Sequence, residues 1–212
     1  FKKGLIQEKI KETANKRNMN LAVKKEALLG VNIYPNANEK MEKGYDESTI
    51  QAKSQKAEDA IAEPIKPYRG GEELETLRFK TDKHPQGAPK VFMFTIGNAK
   101  MRRARAQFSA GFFAAAGFEI IDNIGFDTVD EGVKEARKQG ADIVVICSSD
   151  QEYPEVAPQI NDQMKNDAIV VLAGYPKDSM NELKEKGIQH FIHIKYNLIE
   201  TLKGFQQQLG IV

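Results

Sequence analysis

The feature that most constrains this chain is a regular alternation that begins at Pro89, in which apolar runs of strand length are followed by amphipathic stretches of helical length. A strand that is apolar on both faces needs cover on both faces. Repeated strand–helix units meet that need with a parallel sheet between two helical layers. The spacing predicts strands at 91–96, 118–124, 143–147, 169–173 and 189–192, and helices at 99–116, 129–139, 153–165, 179–186 and 198–209. The first of these helices carries Met101, Ala104, Phe108, Phe112 and Ala115, spaced three and four apart to make one apolar stripe. The last repeats the device with Leu198, Leu202, Phe205 and Leu209. Gly117, Gly140 and Gly187 each follow a helix, where a residue of positive φ is wanted.

Five strands, five helices and short loops fit a flavodoxin-like, doubly wound (Rossmann-like) sheet of order 2-1-3-4-5. Ligands of such sheets sit at the switch point between the first and third strands. The turn there reads "IGNAKMRRAR", with three arginines and no carboxylate, histidine or second glycine. Arg102, Arg103 and Arg105 at a helix amino end suggest either a phosphate site or ion pairs with Asp150 and Glu152 across the switch point. Ion pairing is favoured, because a basic first turn opposes the helix dipole and calls for nearby acid. Cys147 reads as a small apolar residue at a strand end, and no base or nucleophile converges on Asp150, Glu152, Ser148 or Ser149. His84, His190 and His193 lie in the linker and at the last strand, without ligand spacing. With 31 basic and 30 acidic residues intermixed, the net charge of +1 argues against a nucleic-acid partner. A single cysteine and no apolar run of membrane-spanning length suggest a cytoplasmic chain with no membrane partner.

Before Pro89 the regularity is lost. Residues 36–88 read as a long linker, too poor in large apolar residues for a core of their own, with short helices at 48–62 and 72–81 around "EPIKPYRGG". Residues 1–35 read as one helix, 5–18, and one strand within "EALLGVNIYPN". A buried strand needs neighbours for its backbone groups, and the linker parts this one from the downstream sheet. The start at Phe-Lys-Lys, without an initiator Met, suggests a piece of something longer.

The stretch "ALLGVNIYPN" after "KGLIQEKIKETANKRN", then "AGFFAAAGFEI" at 110–120 and "GADIVVIC" at 140–147, in that order and spacing, resembles the carboxy-terminal part of the methylmalonyl-CoA mutases. The resemblance covers nearly the whole chain. It implies that 1–35 are the last helix and strand of a (β/α)₈ barrel, 36–88 a belt-like linker, and 89–212 a cobalamin-binding-like domain.

Cobalamin-binding members carry Asp-x-His-x-x-Gly just after the first strand, the His serving as cobalt's lower ligand. Here the loop reads Gly97, Asn98, Ala99, Lys100, Met101, Arg102, Arg103, Ala104. The family's Ser-x-Leu after the third strand becomes Cys147, Ser148, Ser149 and a charged run, and its Gly-Gly after the fourth becomes Ala173-Gly174. The resemblance therefore implies a degenerate site and a non-catalytic small subunit with no cofactor, metal or catalytic residue of its own. Adenosylcobalamin and substrate are then expected on a large partner subunit. The other reading is a free-standing flavodoxin-like module that binds a phosphorylated ligand or cobalamin; an orphan helix and strand at its front argue against it.

Overall fold

A computed structural model describes residues 3–41, 44, 46–50 and 60–211. Its centre is a parallel sheet of β1 (Lys90–Thr95), β2 (Glu119–Ile121), β3 (Ile143–Cys147), β4 (Ile169–Ala173) and β5 (His190–Ile192), ordered β2-β1-β3-β4-β5. The order is the one expected from the pattern, with β1 and β3 adjacent in register from Val91↔Ile143 to Thr95↔Cys147. Helices α1 (Leu5–Ala22), α2 (Glu47–Ile50) and α3 (Glu72–Lys83) precede the sheet. Within it follow α4 (Ala99–Ala114), α5 (Val129–Gln139), α6 (Tyr153–Met164), α7 (Met180–Glu185) and α8 (Leu198–Gln208).

Alternate side chains of each strand feed two separate cores, as the strand period requires. Val91, Met93, Val145 and Val171 join Phe112 and Phe113 of α4 and Leu202 and Phe205 of α8. Phe92, Phe94, Val144 and Leu172 join Val133 of α5, Ile160 of α6 and Leu183 of α7. Each core is keyed by aromatic rings. Phe113 lies 5.4 Å from Phe205 and 6.0 Å from Phe118 on one face, and Phe126 stacks at 5.9 Å on Phe92 on the other. Such burial stabilises by about 1.5–3 kcal/mol per large side chain. Helix starts are set by local caps: Asn98 accepts from Met101 N–H, Asn197 from Glu200 N–H, and Thr128 forms a capping box with Glu131.

Two segments depart from the expected strands. β2 stops at Ile121, three residues short of the predicted end at 124. The reason lies in Asn123, whose side chain donates to the Met93 carbonyl and accepts from the Thr95 hydroxyl, replacing the backbone ladder at the edge of β1. The stretch "EALLGVNIYPN", expected to hold a strand, instead makes a turn with an isolated bridge between Leu29 and Ile33. Buried Asn32 holds this turn by accepting from Leu28 N–H and donating to the carbonyls of Leu21 and Glu26, while the N–H groups of Val31, Asn32 and Ile33 turn back onto the Leu28 carbonyl.

The linker is less separate than composition implies. α3 buries Leu74, Leu77 and Thr81, and Gln206 of α8 donates to the Leu77 carbonyl at 2.7 Å and to the Thr81 hydroxyl at 2.9 Å. Lys203 reaches Glu73 at 2.9 Å beside them. Of the helix expected at 48–62, the described residues show only the short α2 at 47–50; positions 51–59 lie outside the described residues, and 60–62 are not helical.

Candidate functional site

The switch-point crevice is built by the turn after β1 and the turn after β3. Gly97 opens the first at φ +75°, and a Cβ placed on it would lie 2.5 Å from the Glu152 carboxylate, so only glycine fits both the backbone and the space. Asn98 follows, donating its N–H to Glu152 Oε1 at 2.9 Å and Oε2 at 3.1 Å. From the other turn, the hydroxyls of Ser148 and Ser149 each donate to Oε2 at 2.6 Å, and Ser149 N–H donates at 3.1 Å. Burial alone would raise the Glu152 carboxyl, yet these hydroxyls and N–H groups outweigh it and hold it at about 2.

The expected pairing of arginines with acids holds for one pair. Arg105 meets Asp150 at 2.8 Å, and its guanidinium lies over Gly174, 3.1 Å from where a Cβ would stand. Arg102 instead caps two carbonyls, Gly97 O at 3.2 Å and Ile124 O at 3.1 Å, while Arg103 is exposed. Glu152 pairs with neither arginine because the two serines and the amide groups already satisfy it.

Deeper in the crevice, the fully buried Tyr153 bridges β3 and β4: its hydroxyl donates to the Ala173 carbonyl and accepts from Ser148 N–H at 3.2 Å. Burial pushes its phenol far up. Cys147 is fully buried, its thiol facing the Val145 carbonyl, and burial likewise raises it well above the ordinary thiol range, so it is inert as a nucleophile. The Ala173 methyl belongs to the core shared by α4 and α8, so Arg105, and not that methyl, covers the end of β4.

Of the other positions, Ala99 and Ala104 are exposed on the first turns of α4 and Met101 is half-buried. The histidines do not converge. His190 packs on Phe205 at 5.5 Å, whereas His193 sits beyond β5 between Tyr175 and Tyr196 at 4.9 and 4.6 Å. Both are lowered by burial, His193 also by Lys195 and Arg105. Among the described residues, no group of three or more His, Cys, Asp or Glu is placed to hold a metal ion, and no helix is long and apolar enough to cross a membrane.

Sequence reading missed Glu152 as the centre of the crevice and Tyr153 as its floor. A signal for the first was present: Ser149-Asp150-Gln151-Glu152 has the Ser-x-x-Glu spacing that lets a glutamate reach back to the backbone at a helix start. For Tyr153 there was none, since only the β3–β4 pairing reveals which carbonyl its hydroxyl meets.

The fold and this crevice define a flavodoxin-like α/β domain whose switch point is filled by its own side chains. Over its length the chain is homologous to the small subunits of methylmalonyl-CoA mutase. It is 42% identical over 207 residues to the methylmalonyl-CoA mutase small subunit of Porphyromonas gingivalis, a match covering 97% of this chain and 33% of the relative. To the small subunit of Streptomyces virginiae it is 29% identical over 173 residues, covering 78% of the chain and 26% of the relative. The chain thus spans about a third of the length of the first of these relatives or less. No family model matches it.

Proposed function

We propose that the chain is part of the non-catalytic small subunit of a cytoplasmic, heterodimeric methylmalonyl-CoA mutase, an isomerase that interconverts succinyl-CoA and methylmalonyl-CoA. Its large partner subunit holds adenosylcobalamin and substrate, and this chain stabilises that partner. The observation that carries the reading is the crevice. The residues present do not fit the cofactor, because the loop from Gly97 to Ala104 has no histidine and Glu152 already takes up the donors of Asn98, Ser148 and Ser149. Arg105 covers Gly174 at the far side. The positions Gly97, Asn98, Ala99, Met101, Arg102, Ala104, Cys147, Ser149, Ala173 and Gly174 are in this reading a degenerate cofactor site.

Titration of the chain with adenosylcobalamin tests it. No saturable spectral change and no ligand-dependent rise in Tm are expected, whereas a bound cofactor would add about 2.7 kcal/mol at a hundred times its Kd. Stoichiometric binding would overturn the reading. Co-expression of the full-length subunit with a larger homologue that carries Asp-x-His-x-x-Gly should yield a one-to-one complex, with mutase activity only in the complex.

A further inference from the structure

We propose that the turns after β1 and β3 form an oxyanion cradle whose resident occupant is the chain's own Glu152, and that small carboxylates such as formate and acetate fill it when that side chain is removed. Two N–H groups and two hydroxyls, from Asn98, Ser148 and Ser149, converge on one carboxylate at 2.6–3.1 Å. These donors come from turns fifty residues apart, brought together by the β1–β3 ladder that ends at Thr95↔Cys147. The sheet positions them, so they remain converged when the carboxylate leaves.

Three further features fit a cradle for a planar oxyanion. Ser148 is fully buried and Ser149 only 5% exposed, so water replaces a lost acceptor poorly and the hydroxyls are left wanting one. Gly97 has no side chain where the carboxylate approaches the backbone, at 2.5 Å from the Cβ position. Among the described residues, the two arginines beside the crevice are engaged elsewhere, Arg102 by two carbonyls and Arg105 by Asp150. An anion held only by directed hydrogen bonds is recognised as an acceptor with geometry, which favours carboxylate over chloride. In the native chain the cradle is closed from within, since an incoming anion must displace a side chain tethered to α6.

The test compares Glu152→Ala with Glu152→Gln by thermal unfolding in formate and in chloride at matched ionic strength. Glu152→Ala is expected to lose about 5 °C or more in chloride, and its Tm should climb with the logarithm of formate concentration. Glu152→Gln, whose amide remains in the cradle, should lose stability without any formate-specific recovery, and the native chain should respond to neither salt. Should Glu152→Ala fail to fold in chloride, recovery of folded protein on refolding in formate but not in chloride is the same positive result. A formate response absent from Glu152→Ala, or equal in the two variants, overturns the proposal.

Discussion

Helices α1 and α8 carry similar apolar residues and meet opposite fates. α8 buries Leu198, Ile199, Leu202 and Phe205 against the sheet, whereas α1 buries only Leu21 and Ala22 at its end and leaves Leu5, Ile6 and Ile10 at 61%, 40% and 38% exposure. The difference is one of pattern as well as of available surface, since Leu198, Leu202 and Phe205 line one face of α8 whereas Leu5, Ile6 and Ile10 form no such stripe on α1. α8 follows a strand and falls back on the sheet face, while the described residues join α1 to the domain near its carboxy-terminal end, where Ala22 enters the core and Asn18 donates to Glu73 of α3. An apolar stripe thus states what a helix needs, and the rest of the molecule decides whether it is met. α3 lies between the two cases: drawn from a segment too polar for a core of its own, it is nonetheless sealed to α8 by Gln206.

The largest effect is expected from truncation in the well-packed helix. Leu202→Ala should cost about 2–5 kcal/mol in urea unfolding, because a fully buried side chain leaves a cavity. A loss below about 1 kcal/mol would mean that α8 is no better anchored than α1.

Acid reveals the next effect. The Glu152 carboxyl, depressed to about 2 from an ordinary 4.5, contributes stability that is fully present above pH 4.5 and is lost as pH falls through about 2. Stability against pH should therefore decline over that window in the native chain and decline less in Glu152→Gln. Identical acid limbs would show that the crevice adds nothing to the domain's advantage over α1.

A smaller effect tests the seam. Gln206→Ala leaves the Leu77 carbonyl and Thr81 hydroxyl without their partner, for about 1–2 kcal/mol. It should also raise hydrogen exchange in α3 before any change in the sheet; unchanged protection of α3 would separate that helix from the domain.

The smallest effect belongs to α1. Ile10→Ala, on a partly solvated face, should change the stability of the chain by no more than about 0.5 kcal/mol. A cost matching that of Leu202→Ala would remove the distinction between the two helices.

Five strands and the boundaries of α5, β3 and β4 were legible in the sequence, because strand and helix periods differ; the order β2-β1-β3-β4-β5 was only the one a flavodoxin-like fold would have, and the ladders established it. So was the missing histidine between Gly97 and Ala104, which is a matter of residue identity alone. Only the tertiary structure decided what fills the crevice. Arginines and acids in one neighbourhood are interchangeable as charges, and the β1–β3 register alone determines that Glu152 meets Asn98 and two serines while Arg105 takes Asp150. The turn at 27–34 follows the same logic. Its apolar run suits a strand, but pairing is a property of neighbours, and here Asn32 and the Leu28 carbonyl fold the run into a turn instead.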